Sequence, residues 1–158
     1  LAMPAGFPRC SAPFDNDCAS WTNNKVIVAH SYVSLLNFQF GQQAADTRPD
    51  DLLPRDRVGH GTMSAMIAAG VRSRGPAAEV GGVAPAAWLG NYKVFGSPGV
   101  NDGTYANGII AALEDALRDG MDIVTLNLGY AAEWPPLQRT CGQNRNQLCD
   151  IQADAVHN

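Results

Sequence analysis

Hydrophobic positions along this chain gather into five stretches, separated by runs dense in proline, glycine, aspartate and asparagine. The run Val26-Ile27-Val28-Ala29-His30 is rich in β-branched residues and predicts a short buried strand. Residues 62–69, closed by Gly70, are apolar almost all round, a pattern that predicts a helix inside a core. A second strand is predicted over residues 88–95, ended by the turn cluster Gly96-Ser97-Pro98-Gly99. The clearest helix spans about 104–119, with Ile109, Ile110, Leu113, Ala116 and Leu117 on one face and Glu114 four residues before Arg118 on the other. Gly120 stands where a helix stop is expected, and residues 122–128 then read as a third strand ended by Gly129.

The intervening segments predict loops. Residues 1–24 carry Pro4, Pro8 and Pro13, residues 41–56 are rich in charge and proline, and residues 71–84 hold Gly75, Pro76, Gly81 and Gly82. No internal repeat or low-complexity tract interrupts this order. Strand, helix and strand over residues 88–128 make a βαβ unit, which predicts an α/β fold with parallel strands and a right-handed crossover. Open parallel sheets bind ligands outside the carboxyl ends of their strands. The loop 96–103 and the turn after Leu128 should therefore share one edge. If the helix at 62–69 is laid the same way, His60 faces the same crevice.

Composition narrows the classes. The chain has 158 residues, is 46% apolar and is only 16% charged, which argues against intrinsic disorder and against a coiled coil. Lys25 and Lys93 are the only lysines, the net charge is −4 and no basic stripe is visible, so the electrostatic footprint of a nucleic-acid binder is missing. No apolar run approaches the roughly 18 residues of a membrane span. The chain opens on Leu-Ala-Met-Pro without a signal-peptide pattern, and its last residues read as an unfinished helix, so a piece of something longer is expected.

Cys10 and Cys18 form one close pair and Cys141 and Cys149 another, each with seven intervening residues. Four cysteines allow three connectivities; the two local pairings are favoured, with free thiols and a metal cluster as the other readings. Zinc sites usually space paired cysteines by two to four residues, which weakens the last. Disulfides would imply an oxidising, extracytoplasmic location. Glu79, Asp50 and Asp51 have no recognisable calcium-loop spacing, and no metal or cofactor is expected.

His60 is the residue best placed for chemistry. It lies in Gly59-His60-Gly61-Thr62, where two glycines leave the ring uncrowded and a following helix amino terminus disfavours an imidazolium. A neutral imidazole held there suits a general base. The competing reading is a histidine that merely caps a helix in a tight turn. His30, at the end of a strand, reads as packed, and His157 as surface.

Taken in order, Gly59-His60-Gly61-Thr62, Gly82-Val83-Ala84-Pro85, Tyr92-Lys93-Val94-Phe95-Gly96, Asp119-Gly120 and Leu126-Asn127-Leu128-Gly129 resemble the subtilisin-like serine peptidases over about residues 54–130. Pro54-Arg55-Asp56 and Asn23-Asn24-Lys25-Val26-Ile27 look more like the plant-type and related bacterial branch. The resemblance implies that His60 is the general base of a serine–histidine–aspartate triad. It implies that Asp102, Gly103 and Tyr105 lie along the substrate-pairing edge, and that Asn127, Leu128 and Gly129 line the primary specificity pocket on the other side of the peptide. The implied partner is a peptide or protein substrate held by strand addition.

Departures accompany the resemblance. Met63 stands where many members carry a second histidine, Val58 where aspartate is common, and Asn127 where serine is usual. The family's Asp-Ser/Thr-Gly and Gly-Thr-Ser-Met-Ala motifs do not occur in the chain. Gly61-Thr62-Met63-Ser64-Ala65 belongs to the histidine's own helix, and Asp102-Gly103-Thr104 follows the second strand, so neither supplies them. The chain is thus expected to be a partial three-layer sandwich truncated at both ends, occupying residues 1–158 and inactive alone. Its uncovered sheet edges are expected to favour self-association. The rival readings are a non-catalytic peptide-binding module and a nucleotide-binding α/β domain; the second fares worse because Gly59-x-Gly61 does not follow a strand.

Overall fold

A computed structural model describes residues 1–13, 15–39, 51–99 and 103–129. Its centre is β2 (Val26–Ser31), whose β-branched run is buried from Ile27 to His30, as a strand covered on both faces requires. The two-residue β1 (Arg9–Cys10) pairs parallel to one side of it, with Arg9 opposite Val28, and β5 (Leu89–Lys93) pairs parallel to the other. The sheet order is therefore β1-β2-β5, and the parallel α/β class expected from the sequence is the one observed. A small antiparallel hairpin, β3 (Ser73–Arg74) with β4 (Glu79–Val80), occupies part of the segment expected to be loop.

Two helices pack against each other, α1 (Val33–Gln39), directly after β2, and α3 (Ala106–Asp119), after β5, and α3 also packs against β5. The core joins Ile27, Val28 and Ala29 of β2 to Tyr32, Val33 and Leu36 around α1 and to Ile109, Ala112 and Ala116 of α3. The buried face of α3 is rotated from the expected one. The small residues Gly108, Ala112 and Ala116 are buried beside Ile109, and Leu117 is exposed. Gly120 ends the helix at φ 78°, a left-handed conformation that glycine adopts without a Cβ penalty, and its N–H donates to the Leu117 carbonyl at 3.0 Å.

Two expectations are corrected. Residues 122–128 form no strand: the backbone from Asp122 onward is irregular, and Ile123, Val124 and Leu126 are exposed. β-propensity alone cannot hold a strand that has no pairing neighbour. The helix at 62–69 exists as α2 (His60–Ala69), but Ala69 is its one buried residue, while Met63 and Ile67 are 56% and 61% exposed. All-round apolarity marks a helix that a core could cover; among the described residues nothing does.

Before β2, the expected irregular segment contains β1 and a 3-10 helix over Asp15–Ser20. Cys10 and Cys18 are joined by a disulfide, whereas Cys141, Cys149, Trp134 and His157 lie outside the described residues. No helix among the described residues is long and apolar enough to cross a membrane.

Candidate functional site

His60 is the first residue of α2 and is exposed. Gly59 before it takes φ 89°, so the chain turns sharply into the helix at a place where a side chain would be strained. The turn is organised by Asp56. Its Oδ1 accepts the backbone N–H groups of Val58 and Gly59, both at 2.8 Å. Its Oδ2 accepts the Thr62 N–H at 2.9 Å and the Thr62 hydroxyl at 2.6 Å. Partial burial acts to raise the Asp56 pKa, but the Thr62 hydroxyl and the three backbone donors outweigh it and hold the carboxyl well below its usual range. The Gly59 and Thr62 N–H groups are among those that a helix start leaves without intrahelical partners.

The segment leading into that turn is tied to β5. The Asn91 side-chain amide donates to the Pro54 carbonyl at 2.6 Å, and the Lys93 ammonium donates to the carbonyls of Asp51 and Leu53 at 3.2 and 3.1 Å. Arg57 pairs with Asp51; burial pushes the Asp51 carboxyl up, and the Leu53 N–H with Arg57 brings it below its ordinary value overall. The Arg55 guanidinium lies over the Trp21 ring, 5.5 Å from its centroid. The approach to His60 thus runs over the carboxyl end of β5, the sheet edge that the sequence singles out.

The other end of α2 is held by residues 82–84. Gly82, Val83 and Ala84 donate their N–H groups to Gly70, Ile67 and Ala68 carbonyls at 2.9, 3.0 and 2.9 Å. Gly82 allows this approach because a Cβ there would sit 2.4 Å from the Gly70 nitrogen.

The remaining expected site residues fall on two stretches, 102–105 and 127–129. Asp102 lies outside the described residues. Gly103 is exposed, and Tyr105 is half-buried as the residue that starts α3, its carbonyl accepting from Gly108 and Ile109. Asn127 and Gly129 are exposed and Leu128 is half-buried in the irregular segment after Met121, where the Thr125 hydroxyl donates to the Asn127 side-chain oxygen at 3.4 Å. Ser64 is half-buried within α2, on the histidine's own helix. Among the described residues no group of three or more His, Cys, Asp or Glu is placed to hold a metal ion.

His30 is buried, as expected of a packed histidine, but it belongs to a polar cluster that the sequence reading missed. Its Nε2 lies 2.9 Å from Asp119 Oδ2, which also accepts the Tyr92 hydroxyl at 2.9 Å. Arg9 reaches Asp119 Oδ1 at 3.4 Å and donates to the Arg118 carbonyl at 2.9 Å. Burial, then the bond to Asp119, pushes the Tyr92 phenol well above its usual value, so it stays a donor; Tyr32 behaves likewise through burial and Asp115. The cluster locks β1, β2 and β5 to the carboxyl end of α3. One signal was available: an aspartate at a helix carboxyl end opposes the helix dipole, so Asp119 needs a compensating partner.

The profile of the Subtilase family matches residues 24–156. The chain is similar to the subtilisin-like protease SBT1.5 of Arabidopsis thaliana, 42% identical over 83 residues that make 48% of this chain and 10% of that protein. It is 38% identical over 82 residues to the subtilisin-like protease SBT3 of Solanum lycopersicum, covering 48% of this chain and 10% of the other. The subtilisin-like protease SBT3.18 of Arabidopsis thaliana is 29% identical over 136 residues, 82% of this chain and 17% of that protein. The chain therefore spans only between 10% and 17% of the length of the curated relatives it matches. No solved structure matches it.

Proposed function

Because the chain belongs to the subtilase family, we propose that it forms part of a serine endopeptidase in which His60 is the general base. Asp102, Gly103 and Tyr105 flank one side of an extended peptide, and Asn127, Leu128 and Gly129 flank the other. The observation that carries this reading is the placement of His60. It stands exposed at the first residue of α2, in a turn tied through residues 51–56 to the carboxyl end of β5. In a triad, serine attacks the scissile carbonyl, histidine takes the proton and later gives it to the leaving amine, and aspartate fixes the imidazole tautomer. His60 supplies the middle role. Glycine at 103 and 129 leaves room for substrate backbone to come close.

The sequence holds neither the aspartate nor the serine motif of the triad, so the 158-residue chain alone is expected to hydrolyse no peptide amide. Purified chain should give no turnover of a fluorogenic peptide, while a longer chain bearing both motifs should turn it over and lose that activity on His60→Ala. Turnover by the short chain that survives His60→Ala overturns the assignment. A longer chain that binds peptide without cleaving it favours the non-catalytic binding module. The Cys10–Cys18 disulfide supports a secreted or otherwise extracytoplasmic setting, and the exposed apolar positions support self-association.

A further inference from the structure

The orientation of α2 has an unusual origin. A helix is ordinarily aimed by its packed face, yet among the described residues α2 buries only Ala69. What holds it is polar and sits at its two ends. Residues 82–84 grip the carboxyl end through three backbone hydrogen bonds. One carboxylate grips the amino end, where Asp56 gathers Val58, Gly59 and Thr62 through four donors. Asp56 is in turn anchored, since the chain just before it is fastened to Asn91 and Lys93 of β5.

We propose that Asp56 is the positioning residue for His60: its carboxylate closes the 56–62 turn and so transmits the position of β5 to the backbone from which the imidazole projects. This rests on the reading of His60 as the general base. The residue type suits the task. Oδ1 serves the turn and Oδ2 serves the helix, so a single planar group fixes both sides of Gly59, whose positive φ must be maintained. A carboxylate next to a helix amino terminus also meets the positive end of the helix dipole. Asparagine retains one acceptor oxygen and forfeits the other together with the charge. Misplacing a base by about 1 Å can cost on the order of 100-fold in rate, so a loosened turn should register in kcat more than in KM.

The test has two arms. In the 158-residue chain, NMR follows the amides of Val58, Gly59 and Thr62 and the backbone couplings of His60 and Thr62 against pH. The expected result is one shared acid transition of all three amides, accompanied by loss of the helical couplings. Asp56→Asn should abolish that pH dependence while the β2 and β5 resonances stay in place. Should Asp56→Ala unfold the chain, Thr62→Val removes a single donor and should weaken the turn partially. Unchanged helical couplings in both Asp56→Asn and Thr62→Val overturn the proposal. In a longer, peptidase-active chain, Asp56→Asn is expected to lower kcat about tenfold or more with KM within about twofold. A raised KM at unchanged kcat overturns the positioning role. Activity that survives His60→Ala would instead overturn the assignment of the base and leave the NMR arm standing, so the two failures are distinguishable.

Discussion

Gly82 and Asp119 show how much a single position can hold in this chain. A methyl group at residue 82 would lie 2.4 to 2.8 Å from backbone atoms of Ala69 and Gly70, which cannot move aside as a flexible side chain could. Gly82→Ala is therefore expected to cost about 1–3 kcal/mol, as overpacking does, and to free the carboxyl end of α2; chemical denaturation and amide exchange at Gly70 would measure it. Asp119→Ala removes the acceptor shared by the buried His30 and the half-buried Tyr92 hydroxyl and leaves both without that partner. The expected loss is about 1–3 kcal/mol for each group left unsatisfied, and Asp119→Asn should cost less because one acceptor oxygen remains; urea midpoints of the two variants provide the check. At this scale the sequence is legible where a residue has a local reason to exist. Gly59, Gly120 and His60 announce themselves through turn chemistry and motif. Asp119 and Asn91 have partners far away along the chain, so their roles become visible only when the strands are side by side.

At the scale of elements, β2, β5 and α3 could be read from pattern because each is stabilised by neighbours that the same pattern describes. The strand expected at 122–128 and the core position expected of α2 could not, since both depend on a partner surface that hydrophobicity calls for and does not provide. The amino end of α2 depends on ionised carboxylates instead. Asp56 and Asp51 are both held below their ordinary range in the folded chain, so the unfolded chain binds more protons as the solution is acidified. Their stabilisation is complete above about pH 4 and is lost as pH falls through the lower folded-state values. Acid unfolding should therefore begin at the α2 turn, and Asp56→Asn should flatten the dependence of stability on pH below about 4; circular dichroism melts across that range would show it. The Cys10–Cys18 link closes a short loop that steadies β1, the shortest strand of the three-stranded sheet. Replacing both cysteines by serine should lower stability by about 2–3 kcal/mol on the loop-entropy account, measured by urea denaturation against the disulfide-bonded wild-type chain.

For the whole molecule, the notable quantity is apolar surface left outside. Val83 is 88% exposed and Ile123 85%, and Met63, Ile67, Leu117 and Leu126 add to them. Large apolar side chains left this exposed are places where other protein surface can settle. Sedimentation velocity should show association that increases with concentration, reduced by Ile123→Lys; a sharp monomer at all concentrations would remove the expectation of self-association. The two sides of the sheet are not equivalent in this respect. On one side β1 is two residues long, preceded by Pro8, followed closely by Pro13 and tied back by its disulfide, so it offers an incoming strand few donors and little length. Beyond β5, on the other side, no further strand is paired among the described residues. A sheet that can be extended on one side only cannot grow into a filament. Two copies joined through β5 would be related by a twofold axis, their seam antiparallel within otherwise parallel sheets, and the assembly would stop at two.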